Sequence, residues 1–560
     1  MAMADTVLKV EDLHVSFLRE DTYKEVVKGV SFEVYKGQTL GIVGESGSGK
    51  SVTSLAVMGL LPKTAKVEGR CVWTSEEGEV SAASGNRGLR AAMIFQEPMT
   101  SLNPVQKCGS QVVEMLMAHE KVSKSEARRR TVELFEEVLL PRPEKIFDSY
   151  PHEISGGQKQ RVMIAMALIC HPSLLIADEP TTALDVTVQK TIIDLLRGLQ
   201  KKYQIGIIFI SHDLGVVAQI ADQVAVMYHG EIVEYGTADQ VLHNPEHPYT
   251  KGLLACRPPL DSRPRHLLTV QDFLEYEGVD MIGQDEQPAA VPHQDETDRK
   301  PLLRVKNLEV AYTLETSLLG KVKKSLKAVD GLTFDIYRGE TLGLVGESGC
   351  GKSTLGRAIL KLLDNSAGSI EFDGMSLDRL SRTEWKALRR RIQIVFQDPY
   401  SSLNPRITIG EAIMEPLRCH GMCKNDRERR ERVLSIMEQV GLEADWYRRY
   451  PHEFSGGQRQ RVCIARALIL EPELVVCDES VSALDVSVQA QVLNLLNDLK
   501  SRYNYTYLFI THDLSVVKFL SDRIMVMEKG RIVEEGVADE LFAHPQHPYT
   551  QRLLAALPRI

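Results

Sequence analysis

Gly44-Glu45-Ser46-Gly47-Ser48-Gly49-Lys50-Ser51 and Gly346-Glu347-Ser348-Gly349-Cys350-Gly351-Lys352-Ser353 decide the fold of this chain. Both fit the G-x-x-x-x-G-K-[ST] spacing of a phosphate-binding loop. An apolar run precedes each, Thr39-Leu40-Gly41-Ile42-Val43 and Thr341-Leu342-Gly343-Leu344-Val345, and a helix-compatible segment follows. Glycines let successive backbone N–H groups converge on phosphate oxygens, and the following helix turns its positive end to the same anion. Lys50 and Lys352 are expected at the β- and γ-phosphates of the bound ligand, and Ser51 and Ser353 at Mg²⁺. Val52 and Thr354 continue the two loops. A glycine-rich turn with an incidental lysine is the plainer reading of one copy, and two copies in the same setting set it aside.

Outward from the loops, the two halves match at a nearly constant offset. Phe95-Gln96-Glu97-Pro98 answers Phe396-Gln397-Asp398-Pro399, and Tyr150-Pro151-His152-Glu153 answers Tyr450-Pro451-His452-Glu453. Ser211-His212-Asp213 answers Thr511-His512-Asp513, and His247-Pro248-Tyr249-Thr250 answers His547-Pro548-Tyr549-Thr550. That offset of 300 to 302 residues marks the tandem duplication of a domain of about 260 residues, and as a period it is far above the 20–50 residues of solenoid repeats. The expected division is a first domain over 1–260, a linker over 261–301 and a second domain over 302–560. Gln271 to Asp298 carries nine Asp or Glu and no Lys or Arg, the composition of a flexible acidic tether. A short helix around Asp272–Glu277 fits the same stretch.

Apolar runs that alternate with helical patterns imply an α/β fold, a parallel sheet with helices against it. Leu174-Leu175-Ile176-Ala177 runs into Asp178-Glu179, and Leu474-Val475-Val476-Cys477 into Asp478-Glu479. A carboxylate at such a strand end, Asp178 or Asp478, helps hold a Mg²⁺ shell. The next one, Glu179 or Glu479, is placed to act as general base toward the attacking water. The amides of Gln96 and Gln397 can reach the metal or the water without carrying charge. His212 and His512 end further apolar strands, from where an imidazole can bind the γ-phosphate and orient the base. Ser155-Gly156-Gly157-Gln158 and Ser455-Gly456-Gly457-Gln458 open helices, making a second anion-binding end in each half.

The composition narrows the function classes. The chain has 560 residues, 43% hydrophobic and 26% charged, with net charge −9, so a broad nucleic-acid surface is not suggested. Apolar runs stay short of a membrane span, and Met1-Ala2-Met3-Ala4-Asp5 lacks a secretory pattern, so a cytoplasmic protein is expected. Nine scattered cysteines form no C-x-x-C pair and no disulfide framework. Cys419 and Cys423 flank His420 without a second ligand cluster, which reads as ordinary helix surface.

Phosphate loop, glutamine, Ser-Gly-Gly-Gln, Asp-Glu and histidine, in that order, resemble the nucleotide-binding domains of ABC transporters. The resemblance implies two tandem P-loop NTPase domains, each a parallel-sheet core with an antiparallel β subdomain and a helical subdomain. It implies an intramolecular head-to-tail dimer with ATP between the halves. One site would combine Lys50, Asp178, Glu179 and His212 with Ser455-Gly456-Gly457. The other would combine Lys352, Asp478, Glu479 and His512 with Ser155-Gly156-Gly157. Phe17 and Tyr312 would stack on adenine, and Ala183-Leu184-Asp185 and Ala483-Leu484-Asp485 match the interdomain loops.

The flanking motifs are similar to those of oligopeptide and dipeptide uptake ATPases, the first half D-like and the second F-like. That similarity implies peripheral attachment at the cytoplasmic side of the membrane, two integral-membrane permease subunits and, indirectly, an extracytoplasmic solute-binding protein. Nickel and glutathione importers share these signatures. Soluble tandem ATPases of translation or repair form the competing class, but the acidic linker and the missing zinc motifs argue against them. Ser480 departs from the pattern, which has proline after the catalytic glutamate.

Overall fold

A computed structural model describes residues 5–19, 21–75, 78–81, 91–96, 101–181, 184–275, 300–316 and 322–558. The chain divides into two compact units. One holds Met1–Leu254 and the helix Val270–Glu275, the other Ala255–Thr269 and the described residues from 300 to Leu557.

In the first unit, strands β1 (Thr6–Arg19), β2 (Thr22–Tyr35), β3 (Thr39–Val43), β4 (Ala65–Ser75), β5 (Gly78–Ser81) and β6 (Ala91–Ile94) precede the helical region. After it come β7 (Leu174–Asp178), β8 (Gly206–Ser211), β9 (Gln223–Tyr228) and β10 (Glu231–Thr237). An antiparallel sheet runs β2-β1-β4-β5, and a six-stranded sheet runs β10-β9-β3-β8-β7-β6. The second sheet is parallel except where β10 returns beside β9. Its central strands β3, β7 and β8 are buried at every position, as the apolar runs require of strands covered on both faces. Fully burying one such Leu, Ile or Phe contributes about 1.5–3 kcal/mol. Leu8, Val10, Val15 and Phe32 of the antiparallel sheet join Leu40, Ile42, Leu174 and Ile176 of the parallel one in a single core.

The insert between β6 and β7 is helical, as its charged, periodic sequence indicates. Helices Cys108–His119, Lys124–Glu137 and Pro143–Asp148 pack on one another, and the first two also pack on the helix Gly156–Leu168. Ser123 caps the second of these by accepting from Glu126 N at 3.2 Å.

The second unit repeats the plan. Its antiparallel sheet β12-β11-β14-β15 is built from β11 (Pro301–Thr316), β12 (Val322–Tyr337), β14 (Ala367–Phe372) and β15 (Met375–Ser376). Its six-stranded sheet β16-β17-β18-β13-β19-β20 uses β13 (Thr341–Val345), β16 (Ile392–Val395), β17 (Leu474–Asp478), β18 (Thr506–Thr511), β19 (Arg523–Glu528) and β20 (Arg531–Val537).

The stretch read as a linker from 261 divides in two. Residues up to Thr269 belong to the second unit, where Asn494 exchanges two 2.8 Å hydrogen bonds with the Leu267 backbone and Arg263 Nε donates to Phe519 O at 3.1 Å. Val270–Glu275 is helical and belongs to the first unit. The acidic residues 276–298 of the expected tether, and the end of the helix anticipated at Asp272–Glu277, lie outside the described residues.

Candidate functional site

Each phosphate loop joins a fully buried strand to a helix: β3 to Lys50–Met58, and β13 to Lys352–Ile359. Gly49 and Gly351 stand at the helix N-caps with φ of 103° and 115°, a left-handed backbone that glycine adopts without penalty. Gly44 and Gly346 are needed for close approach. A Cβ on either would sit 2.2 Å from the carbonyl oxygen of Met227 or Met527. Cys350 lies where Ser48 does in the first loop, and both are buried.

The lysines fold back into their loops. Lys50 Nζ donates to Gly44 O at 2.7 Å and Glu45 O at 2.8 Å; Lys352 Nζ donates to Gly346 O at 2.7 Å and Glu347 O at 3.0 Å. One residue on, Ser51 Oγ donates to Asp178 Oδ1 at 3.1 Å, and Ser353 Oγ to Asp478 Oδ1 at 2.7 Å. A hydroxyl and a carboxylate oxygen thus converge at each strand end, the hard-oxygen chemistry that Mg²⁺ accepts. Burial pushes the carboxyls of Asp178 and Asp478 above their usual range.

Beside each pair lies a glutamate-centred network. Gln96 Nε2 donates to Glu179 Oε2 at 2.9 Å, and His212 Nδ1 stands 3.4 Å from Glu179 Oε1. Gln397 Nε2 donates to Glu479 Oε2 at 2.8 Å, and His512 Nδ1 stands 3.6 Å from it. Lys352 Nζ is 3.8 Å from Glu479 Oε1. Burial alone would raise the Glu479 carboxyl, but the His512 and Lys352 charges outweigh it and hold it low. Burial would lower the His512 imidazole, and Glu479 outweighs that and raises it.

Both glutamates hold φ of +47°, with their N–H groups donating to Ile210 O at 3.0 Å and Ile510 O at 2.9 Å. A left-handed glutamate at the same place twice is strained backbone that no sequence pattern announced.

The remaining candidates are placed apart from these networks. Ser155 caps the helix Gly156–Leu168 by accepting from Gln158 N, while Gln158 Oε1 accepts from Ser155 N; Ser455 and Gln458 do the same on Gly456–Leu468. Ser155, Gly156, Ser455 and Gly456 are exposed, so both helix starts offer backbone N–H groups to solvent. Phe17 on β1 and Val52 pack half-buried on the first core. Tyr312 is 39% exposed with its hydroxyl 3.4 Å from Thr354 Oγ1, next to Ser353 of the loop. Ser46, Gly47, Ser348 and Gly349 form the loop crests, where a Cβ on Gly47 or Gly349 would meet open space. Leu184 and Asp185 precede the helix Val186–Tyr203, whereas Ala183 lies outside the described residues. The buried hydroxyls of Tyr249 and Tyr549, read from sequence only as landmarks of the repeat, reach the loops at Glu45 N and Glu347 N, 3.0 Å in each case.

Two phosphate loops, each with a paired hydroxyl and carboxylate and a glutamate held by a glutamine and a histidine, define a tandem P-loop nucleotide hydrolase. A family model, "ABC transporter", matches residues 27–182 and 329–482, and a second, "Oligopeptide/dipeptide transporter, C-terminal region", matches 233–273 and 533–560. The chain is similar to the glutathione import ATP-binding protein of Escherichia coli (strain K12), 49% identical over 99% of this chain and 90% of that protein. The protein of that name from Shigella sonnei (strain Ss046) is likewise 49% identical over the same shares. Among solved structures, the dimeric post-hydrolysis state of the ATP-binding cassette MJ0796 bound to ADP and Pi covers 42% of this chain and 98% of its own, at 29% identity and a TM-score of 0.39.

The chain therefore belongs to the ABC transporter family, as an ATP-binding, ATP-hydrolysing subunit of an import system. No helix among the described residues is long and apolar enough to cross a membrane.

Proposed function

We propose that this chain powers uptake of short peptides, glutathione among them, by hydrolysing Mg-ATP at the cytoplasmic face of the membrane. It would act through two separate permease subunits, with solute delivered by an extracytoplasmic binding protein. The oligopeptide/dipeptide C-terminal region, matched after both nucleotide-binding domains, is the observation that carries the reading. The glutathione import relatives support it, since glutathione is itself a modified tripeptide.

The side-chain geometry supports a mechanism at each site. The loop N–H groups and Lys50 bind the phosphates, which requires Lys50 to leave the carbonyls of Gly44 and Glu45. Ser51 and Asp178, with Gln96, would hold Mg²⁺, which neutralises phosphate charge in the transition state. Once Gln96 turns away from Glu179, that carboxylate can accept a proton from the attacking water. His212, beside Glu179, keeps the base oriented and donates toward the γ-phosphate. Lys352, Ser353, Asp478, Gln397, Glu479 and His512 act alike in the second domain. The exposed starts of the Ser155 and Ser455 helices would supply further anion-binding groups.

The test is uptake in the native host after deletion of this gene. Loss of labelled glutathione or dipeptide uptake, restored by the wild-type gene but not by one encoding Lys50→Ala with Lys352→Ala, is expected. Unchanged uptake of glutathione, dipeptides and oligopeptides alike sinks the peptide reading.

A further inference from the structure

The His-Pro-Tyr-Thr motif after each domain makes a built contact with the phosphate loop. Tyr249 and Tyr549 are 0% and 3% exposed, and they accept hydrogen bonds from loop amides 204 and 202 residues earlier in the chain. The histidine of the motif helps bring the phenol there. His247 Nδ1 accepts from Tyr249 N at 3.1 Å, capping the turn into the helix Pro248–Ala255. The Glu234 carboxylate accepts from Glu246 N at 2.8 Å and His247 N at 3.2 Å, fixing the turn to β10. The second unit repeats this: His547 Nδ1 accepts from Tyr549 N at 3.2 Å, and Glu534 accepts from Gln546 N at 2.7 Å and His547 N at 3.0 Å.

The amide that each phenol holds belongs to the first peptide of the loop. In the first unit, the carbonyl of the Gly44–Glu45 peptide accepts from Lys50 Nζ at 2.7 Å while its N–H donates to Tyr249. In the second, Gly346 O accepts from Lys352 Nζ at 2.7 Å while Glu347 N donates to Tyr549. One peptide is thus pinned at both poles. ATP must draw the lysine to its phosphates and so release the carbonyl pole. The phenol goes on holding the N–H pole of that peptide, at a place where a Cβ on Gly44 would lie 2.2 Å from Met227 O.

We propose that Tyr249 and Tyr549 are positioning residues for ATP, and that they keep the loop in its phosphate-accepting shape while its lysine changes partners. The C-terminal region thereby acts directly on nucleotide affinity. Without the phenol oxygen, the part-buried amide loses this acceptor and the peptide is less firmly oriented. Ordering it again is charged to ATP binding rather than to the chemical step, which raises KM with little change in kcat. The proposal needs only ATP hydrolysis and is independent of the transported solute.

Tyr249→Phe, Tyr549→Phe and the double variant test it in the full chain, since phenylalanine keeps the ring and removes only the oxygen. Tyr35→Phe is the control; it deletes a phenol hydrogen bond to Glu33 of 2.5 Å. Steady-state hydrolysis should show KM for ATP about three- to tenfold higher in the double variant, with kcat within about twofold. The control should match wild type. Direct titration with ADP should show the same loss of affinity, and in each single variant it should weaken one site. An unchanged KM and ADP affinity overturns the proposal, whatever the melting temperature does. So does a fall in kcat at constant KM.

Discussion

Ser480 and Pro180 occupy the same turn, directly after Glu479 and Glu179. Both glutamates hold φ of +47°, so the backbone that accepts proline in the first domain is reproduced in the second. Ser480 is 2% exposed, and its hydroxyl has no oxygen or nitrogen partner among the described residues; the buried Cys477 thiol lies beside it. A buried unsatisfied hydroxyl costs about 1–3 kcal/mol. Proline at a compatible position adds about 0.4–1 kcal/mol by restricting the unfolded chain. Ser480→Pro is therefore expected to stabilise the second domain by about 1.5–4 kcal/mol, the desolvation term being the larger. For a domain of this size that raises Tm by about 2–4 °C per kcal/mol. Pro180→Ser should lower the first domain's transition in turn. Scanning calorimetry of the full chain reads both. An unchanged or lower transition for Ser480→Pro refutes the reasoning, because the hydroxyl–thiol contact would then offset the whole desolvation cost.

Other outcomes follow from packing and charge. Gly109→Ala would place a Cβ 2.1 Å from the Phe147 ring, and Gly410→Ala 2.4 Å from the Tyr447 ring. Each should destabilise its helical subdomain by about 1–3 kcal/mol, and Phe147→Leu should recover part of the first loss in a double-mutant melt. Arg391 holds the carboxyls of Glu473 and Asp373 below their ordinary 4.5 and 3.8, with Arg338 adding to both. Depressed carboxyls stabilise the fold above their unfolded values and lose that contribution as pH falls through the folded ones. The urea-midpoint gap between wild type and Arg391→Gln should therefore be present at neutral pH and shrink below about 4.5. A gap that widens in acid contradicts the assignment.

Much of this was legible because the chemistry is carried by contiguous stretches. A phosphate loop needs its glycines, lysine and serine within eight positions, so Gly44–Ser51 and Gly346–Ser353 announce themselves, and Asp178-Glu179 follows as the polar end of a fully apolar strand. Other features depend on residues distant in sequence. The order β10-β9-β3-β8-β7-β6 interleaves strands from both ends of the domain. The contact of Tyr249 with Glu45 spans 204 residues, and a tyrosine by itself carries no signal for a backbone amide. The φ of Glu179 and Glu479 is set by tertiary packing, not by residue type. Residues 261–269 read as tether because their polar composition does not show that Asn494 and Phe519 supply backbone partners.

Two working glutamate-centred sites in one chain are tested most directly by ATP hydrolysis of the purified protein, wild type beside Glu179→Gln, Glu479→Gln and the double variant. Removal of a general base lowers the rate at its own site by about 10²–10⁴-fold. Each single change should lower turnover and the double should abolish it, while both singles still bind ATP. If Glu479→Gln leaves turnover at the wild-type level, the second site does not hydrolyse ATP, and the symmetric mechanism is wrong.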